Sequence, residues 1–173
     1  MQKEESVKQL SDLRLPNGTR LYTQEYIQSL RDQDTKHPGS VRAYIAQKGA
    51  QEDMLAANVD IQICGGSRGG SKSFSLLMEA LKDINNPNFQ ALLLRKETKD
   101  LDSLVSDSYK LYSDFGVYNK SLNDMTWNFN NGGWLKFSYY AGAYQAFKDR
   151  FQGRQYAYIG IDEITQCEYK KFK

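Results

Sequence analysis

Two short segments of the chain carry the residue types that chemistry needs. The first is Gly66-Ser67-Arg68-Gly69-Gly70-Ser71-Lys72-Ser73, which nearly matches G-x-x-x-x-G-K-[ST]. A triphosphate has to be surrounded by backbone N–H groups, and glycine tolerates the positive φ angles that turn several of them inward. A helix beginning there adds the positive end of its dipole. On this reading Gly66, Ser67, Arg68, Gly69, Gly70, Ser71, Lys72 and Ser73 hold a nucleotide, expected to be ATP. Lys72 reaches the β- and γ-phosphates, and the Ser73 hydroxyl ligates Mg2+. Ser71 departs from the pattern, which has glycine there, so its φ must be negative or its strain small. The bland competitor is a flexible Gly/Ser turn, and the setting between a strand and a periodic helix favours the phosphate loop.

The second segment is Asp162-Glu163, directly after the apolar run Tyr156–Ile161. Phosphate-loop hydrolases need a carboxylate at a strand end to hold Mg2+ through its water shell, which is the role expected of Asp162. Glu163 is then placed to orient and deprotonate an attacking water as general base. Taken alone, the pair reads as a helix start near Thr165, where acidic residues are common. The phosphate loop about 90 residues upstream turns the balance toward chemistry.

The elements that must position these residues follow from periodicity. Val59–Cys64 alternates apolar and polar and predicts a strand running into the loop. Leu77, Ala80, Leu81 and Ile84 recur with helical spacing behind it, and a further helix is expected from Gln51 to Ala57. Phe89–Arg95 is continuously apolar, which suits a parallel strand covered on both faces. A helix is expected from Leu101 to Phe115. A hairpin is expected where Trp127-Asn128-Phe129 and Trp134–Phe137 flank Asn130-Asn131-Gly132-Gly133. A short helix follows around Tyr144–Phe151, then a buried-type strand over Tyr156–Ile161. Residues 1–45 read as a polar arm with a short helix from Gln24 to about Gln33, and residues 46–173 as one α/β domain.

Composition removes several function classes. In 173 residues, 23 Lys and Arg face 21 Asp and Glu, and residues 1–58 balance eight basic against eight acidic side chains, so no basic arm announces a nucleic-acid partner. His37 is the only histidine, which excludes a His-rich metal site. Cys64 and Cys167 lack the spacing of a zinc ribbon or a disulfide framework, and Cys64 is expected to be a small buried residue. The polar, acidic start is unlike a signal peptide and no apolar run spans a bilayer, so no membrane partner is expected. Trp127 and Trp134 are expected to pack across strands rather than stack bases, and Tyr139, Tyr140, Tyr156 and Tyr158 to be ordinary strand residues.

Beyond the two motifs, three further stretches resemble the amino-terminal ATPase region of tailed-phage terminase large subunits, the DNA-packaging motor proteins. Gln51–Leu55 ahead of Asp60–Gly66 is similar to the family's upstream glutamine element, and Leu94-Arg95-Lys96-Glu97-Thr98 to its basic segment after the second strand. Phe151–Thr165 resembles its box around the acidic motif and is the most specific of the three. The resemblance covers about Lys48 to Phe172, leaving residues 1–45 unmatched.

The resemblance implies an incomplete three-layer phosphate-loop NTPase sandwich of the additional-strand, catalytic-glutamate type, with an inserted β-hairpin. It implies that Gln51 contacts adenine, the competing reading being a surface helix residue, and that Arg68 senses or stabilises the γ-phosphate, against a solvated loop charge. Gln152, Gly153 and Arg154 receive no role. Implied partners are double-stranded DNA, a portal protein, a small DNA-recognition subunit and further copies in a ring, all in the host cytoplasm. Family members carry more strands and a nuclease domain after the acidic pair, so the chain is expected to be a fragment, a split gene product or a truncated reading. The rivals are a helicase-like ATPase or nucleotide kinase on the same scaffold, and an inactive nucleotide-binding remnant.

Overall fold

The computed structural model describes residue 32 and residues 46–47, 49–57, 59–65, 72–84, 86–121 and 124–172. The chain divides into two compact units, residues 1–85 and 86–173, taken here in turn. The arm expected over residues 1–45 and its short helix lie outside the described residues, Asp32 apart. No helix among the described residues is long and apolar enough to cross a membrane.

In the first unit, α1 spans Ala50–Ala56 and α2 spans Lys72–Ala80, with a 3-10 turn over Leu81–Asp83. The helical stripe read from the sequence is the buried one: Leu77, Ala80, Leu81 and Ile84 are all at most 2% exposed. α1 buries Gln51 and Leu55, one turn apart, and α2 packs on it. Residues 59–64 correct an expectation, because they form no strand, and Val59, Ile61 and Ile63 are exposed. The alternation is real, but a strand also needs a neighbouring backbone, and the regular elements described in this unit are helices. What fixes the segment locally is a side chain, Gln62, whose Nε2 donates to the Met54 carbonyl at 3.1 Å. Cys64 is half-buried rather than buried.

The second unit is a mixed five-stranded sheet with helices. Its strands are β1 Gln90–Arg95, β2 Gly116–Asn119, β3 Thr126–Phe129, β4 Trp134–Tyr139 and β5 Tyr158–Ile161, in the order β2-β3-β4-β1-β5. β1 lies between two parallel neighbours, with Leu94 opposite Ser138 of β4 and Ile161 of β5. This is why Ala91–Leu94 can be apolar without a break: both faces are covered. The helices are α3 Leu101–Tyr112, α4 Tyr144–Phe151 and α5 Tyr169–Phe172. Leu92 and Leu94 pack against Phe147 and Phe151 of α4.

The inserted hairpin forms, with Gly132 at φ 102° in its turn, and its second strand β4 is also one of the parallel strands, pairing with β1. The helix expected to reach Phe115 ends at Tyr112, and β2, which periodicity did not announce, pairs with β3. Gly116 makes this pairing possible, since a Cβ there would sit 2.3 Å from the Asn128 carbonyl oxygen. The strand read as buried-type over Tyr156–Ile161 forms as β5 from Tyr158, yet Ile159 is 53% exposed, because β5 pairs only with β1 among the described strands.

Trp127 anchors the packing of α3 on the antiparallel strands. It is 1% exposed, and the rings of Tyr109, Tyr118 and Tyr112 surround it at centroid distances of 5.1, 5.4 and 5.7 Å. Its indole N–H donates to Ser108 Oγ at 2.8 Å, which removes the cost of burying that donor. A base cannot stack on a ring so enclosed, so Trp127 packs as expected, whereas Trp134 is half-buried and meets the ring of Tyr156 at 6.0 Å. Burial, and then Tyr109 and Asp102, push the Tyr118 phenol up to about 12. The unfolded chain ionises this phenol near pH 10, so its stabilising contribution is complete below that and fades between about pH 10 and 12. Urea midpoints measured across that window are expected to fall with rising pH, and less steeply for Tyr118→Phe.

Candidate functional site

The carboxyl ends of three parallel strands bring one group of polar side chains together. Arg95 ends β1, Tyr140 follows β4, and Asp162 and Glu163 follow β5. This follows from register: Leu94 opposes Ile161, so the next residues, Arg95 and Asp162, are neighbours, and the Asp162 N–H donates to the Leu94 carbonyl at 2.9 Å. Strand carboxyl ends are where open α/β sheets usually meet ligands.

Asp162 is 8% exposed and its carboxylate is engaged on both oxygens. Oδ2 accepts from Arg95 Nε at 2.8 Å, and Oδ1 accepts from the Glu163 N–H at 3.1 Å. The rest of the guanidinium is held by the start of α3, donating to Ser103 Oγ at 2.8 Å and to the Asp100 carbonyl. Arg95, 67 residues before Asp162 in sequence, thus ties the acidic turn to the start of α3. Replacing it with Met would strip a buried carboxylate of its guanidinium, at an expected cost of about 2–3 kcal/mol. Urea unfolding of Arg95→Met, Asp162→Asn and the double variant checks this, and the two single losses are expected to exceed the loss in the double.

Glu163 is exposed and is the one non-glycine residue with positive φ among those described, at φ 56° and ψ 42°. Its Oε2 accepts from Gln166 Nε2 at 2.9 Å, and its carbonyl accepts from the Tyr140 hydroxyl at 2.9 Å. Tyr140 is 2% exposed and its phenol is pushed up to about 12, first by burial and then by Cys167, Glu163 and Asp162. Below that range it is a proton donor.

In the other unit, Lys72 and Ser73 stand at the start of α2 and are both half-buried. A lysine and a serine opening a helix match the phosphate-loop pattern. Gly66, Ser67, Arg68, Gly69, Gly70 and Ser71 lie outside the described residues. Gln51 is 4% exposed and is no surface residue: its Oε1 accepts from the Gln47 N–H at 2.7 Å and its Nε2 donates to Ser75 Oγ at 3.1 Å.

Among the described residues no group of three or more His, Cys, Asp or Glu is arranged to cage a metal. Taken by itself, the Asp162 carboxylate fits Mg2+ only as an ion that arrives largely coordinated by phosphate oxygens and water.

Sequence reasoning singled out Asp162 and Glu163 but missed three of their neighbours. Tyr140 was expected to be an ordinary strand residue and instead donates to the acidic turn. Arg95 belonged to a basic segment without a role, and Gln166 had none. Arg95 did leave a signal, because a charge closing an apolar strand needs a partner nearby.

A family model described as terminase large subunit, T4likevirus-type, N-terminal, matches residues 63–173, which include both chemical segments. No curated protein and no solved structure matches the chain. With the larger part of its length inside that match, the chain belongs to the family of T4likevirus-type terminase large subunit N-terminal regions.

Proposed function

We propose that the chain is the ATP-hydrolysing part of a viral DNA-packaging motor. The observation that carries the reading is the family match, which spans Gly66–Ser73 and the Asp162-Glu163 turn in one continuous stretch. The acidic turn at the end of a parallel strand supports it.

In this reading Gly66, Ser67, Gly69, Gly70 and Ser71 offer backbone N–H groups to the phosphates of ATP, and Lys72 neutralises the β- and γ-phosphates. Ser73 and Asp162 would hold Mg2+, which supplies charge neutralisation on the phosphoryl group when bound. Glu163 takes a proton from the water that attacks the γ-phosphate. Arg68 stabilises the developing charge, and Gln51 acts near the adenine, on α1. The work is translocation of double-stranded DNA into a procapsid in the host cytoplasm. A ring of copies, a portal protein and a small terminase subunit complete the machine.

The test is ATP turnover by the chain, with and without double-stranded DNA. Lys72→Ala is expected to abolish turnover and to weaken ATP binding in calorimetry. DNA-stimulated hydrolysis speaks for the motor, whereas phosphoryl transfer to a nucleotide acceptor would make the chain a kinase and overturn the reading.

A further inference from the structure

The left-handed backbone at Glu163 needs a cause. A residue with a Cβ disfavours that region, because its Cβ crowds the following carbonyl. The deviation sits where the proposed general base leaves the sheet, and strained backbone at such a place is a pointer to function. Tyr140 is the buried group that meets it. Its hydroxyl lies 2.9 Å from the Glu163 carbonyl oxygen and 3.5 Å from that of Asp162, so the proton goes to Glu163.

The phenol is itself held firmly. The Tyr140 N–H donates to the Arg95 carbonyl at 2.9 Å, its ring packs with Leu92 and Leu94, and Lys171 Nζ donates to its carbonyl at 3.2 Å. The Glu163 carbonyl also accepts from the Gln166 N–H at 2.9 Å within the following 3-10 turn, so the Tyr140 hydroxyl is the donor that ties this carbonyl to the sheet. The cost of left-handed backbone and the net worth of one buried hydrogen bond are of the same order, so that tie weighs in the balance of conformations.

We propose that Tyr140 is a positioning residue: its hydroxyl bond to the Glu163 carbonyl holds the left-handed turn that sets the direction of the Glu163 carboxylate. It touches no reacting atom. When the donor is lost, residue 163 relaxes to negative φ, its Cα–Cβ bond swings, and the carboxylate leaves the line of attack. The catalytic part of this inference rests on Glu163 acting as general base; the backbone part does not.

The test is Tyr140→Phe in the full chain, with Tyr139→Phe as a control that deletes a neighbouring hydroxyl. In Tyr140→Phe, kcat for ATP is expected to fall at least about tenfold while KM stays within about twofold, since the lost interaction orients the base and does not bind substrate. In the nucleotide-free chain, the Cα and Cβ shifts and the HN–Hα coupling of Glu163 are expected to move from left-handed to negative-φ values. Tyr139→Phe should change neither. An active chain whose kcat is unaltered by Tyr140→Phe, or a variant in which Glu163 keeps its left-handed backbone, overturns the proposal. A wild-type chain that hydrolyses no ATP, yet shows the backbone change, overturns the general-base reading and with it the catalytic role, leaving the hydrogen bond established. If the Phe variant does not fold, the wild type decides: deuterating the phenol should shift the Glu163 carbonyl carbon, and no shift overturns the proposal.

Discussion

Glu163→Gln is expected to lower ATP turnover by about 10²–10⁴-fold while leaving ATP binding within a few-fold. The substitution removes proton-accepting capacity and little else. The side chain is exposed, so nothing packed is disturbed, and the Gln carbonyl oxygen can still accept from Gln166 Nε2, now 2.9 Å from Oε2. Backbone geometry should persist too, because the Tyr140 bond goes to the main-chain carbonyl and not to the carboxylate. Lys72→Ala should differ by losing affinity as well as rate, since in the proposed site its charge meets the phosphates in the ground state. Single-turnover hydrolysis alongside calorimetric ATP titration separates the two. A Glu163→Gln chain as fast as the wild type would remove Glu163 from the chemistry.

Trp127→Ala is expected to destabilise the sheet unit by about 3–5 kcal/mol. The indole is 1% exposed among Tyr109, Tyr112 and Tyr118, so its deletion leaves a cavity lined by rings that cannot easily collapse inward. It also strands the Ser108 hydroxyl, which accepts from the indole while donating to the Val105 carbonyl at 2.6 Å. Ser108→Ala alone should cost about 1 kcal/mol by removing the indole's acceptor. For a unit of this size each kcal/mol lowers the thermal midpoint by about 4–8 °C, so calorimetry distinguishes the two variants. A Trp127→Ala midpoint within a few degrees of the wild type would show that this cluster does not anchor α3.

How far these groups were legible in the sequence depends on where their partners sit. Leu77, Ala80, Leu81 and Ile84 could be read because helical burial is written in local spacing. β1 could be read because cover on both faces leaves an unbroken apolar run. The Val59–Cys64 segment shows the limit: alternation reports which side chains share a face, but pairing depends on a backbone elsewhere. β2 was hidden for a similar reason, as Val117 is 72% exposed and its pairing depends on Gly116 passing close to Asn128. Asp162 and Glu163 stood out by chemistry and position, whereas Tyr140 could not, since a tyrosine closing a strand is common and its donor role appears only once β4 lies next to β1.

The Arg95–Asp162 pair also bears on the order of events during synthesis. Arg95 leaves the ribosome 67 residues ahead of its carboxylate, an interval of about 3–13 s at ordinary elongation rates. For all that time β1 lacks both parallel neighbours or has only β4, and the Arg95 guanidinium has its local partners at Asp100 and Ser103 but no carboxylate at 162. Co-translational collapse around the tryptophan cluster can go ahead meanwhile, because α3, β2 and β3 are close in sequence. The acidic end of the sheet is therefore the last part of this unit to acquire its native contacts, and the Asp162-Glu163 turn takes its place only when β5 has docked.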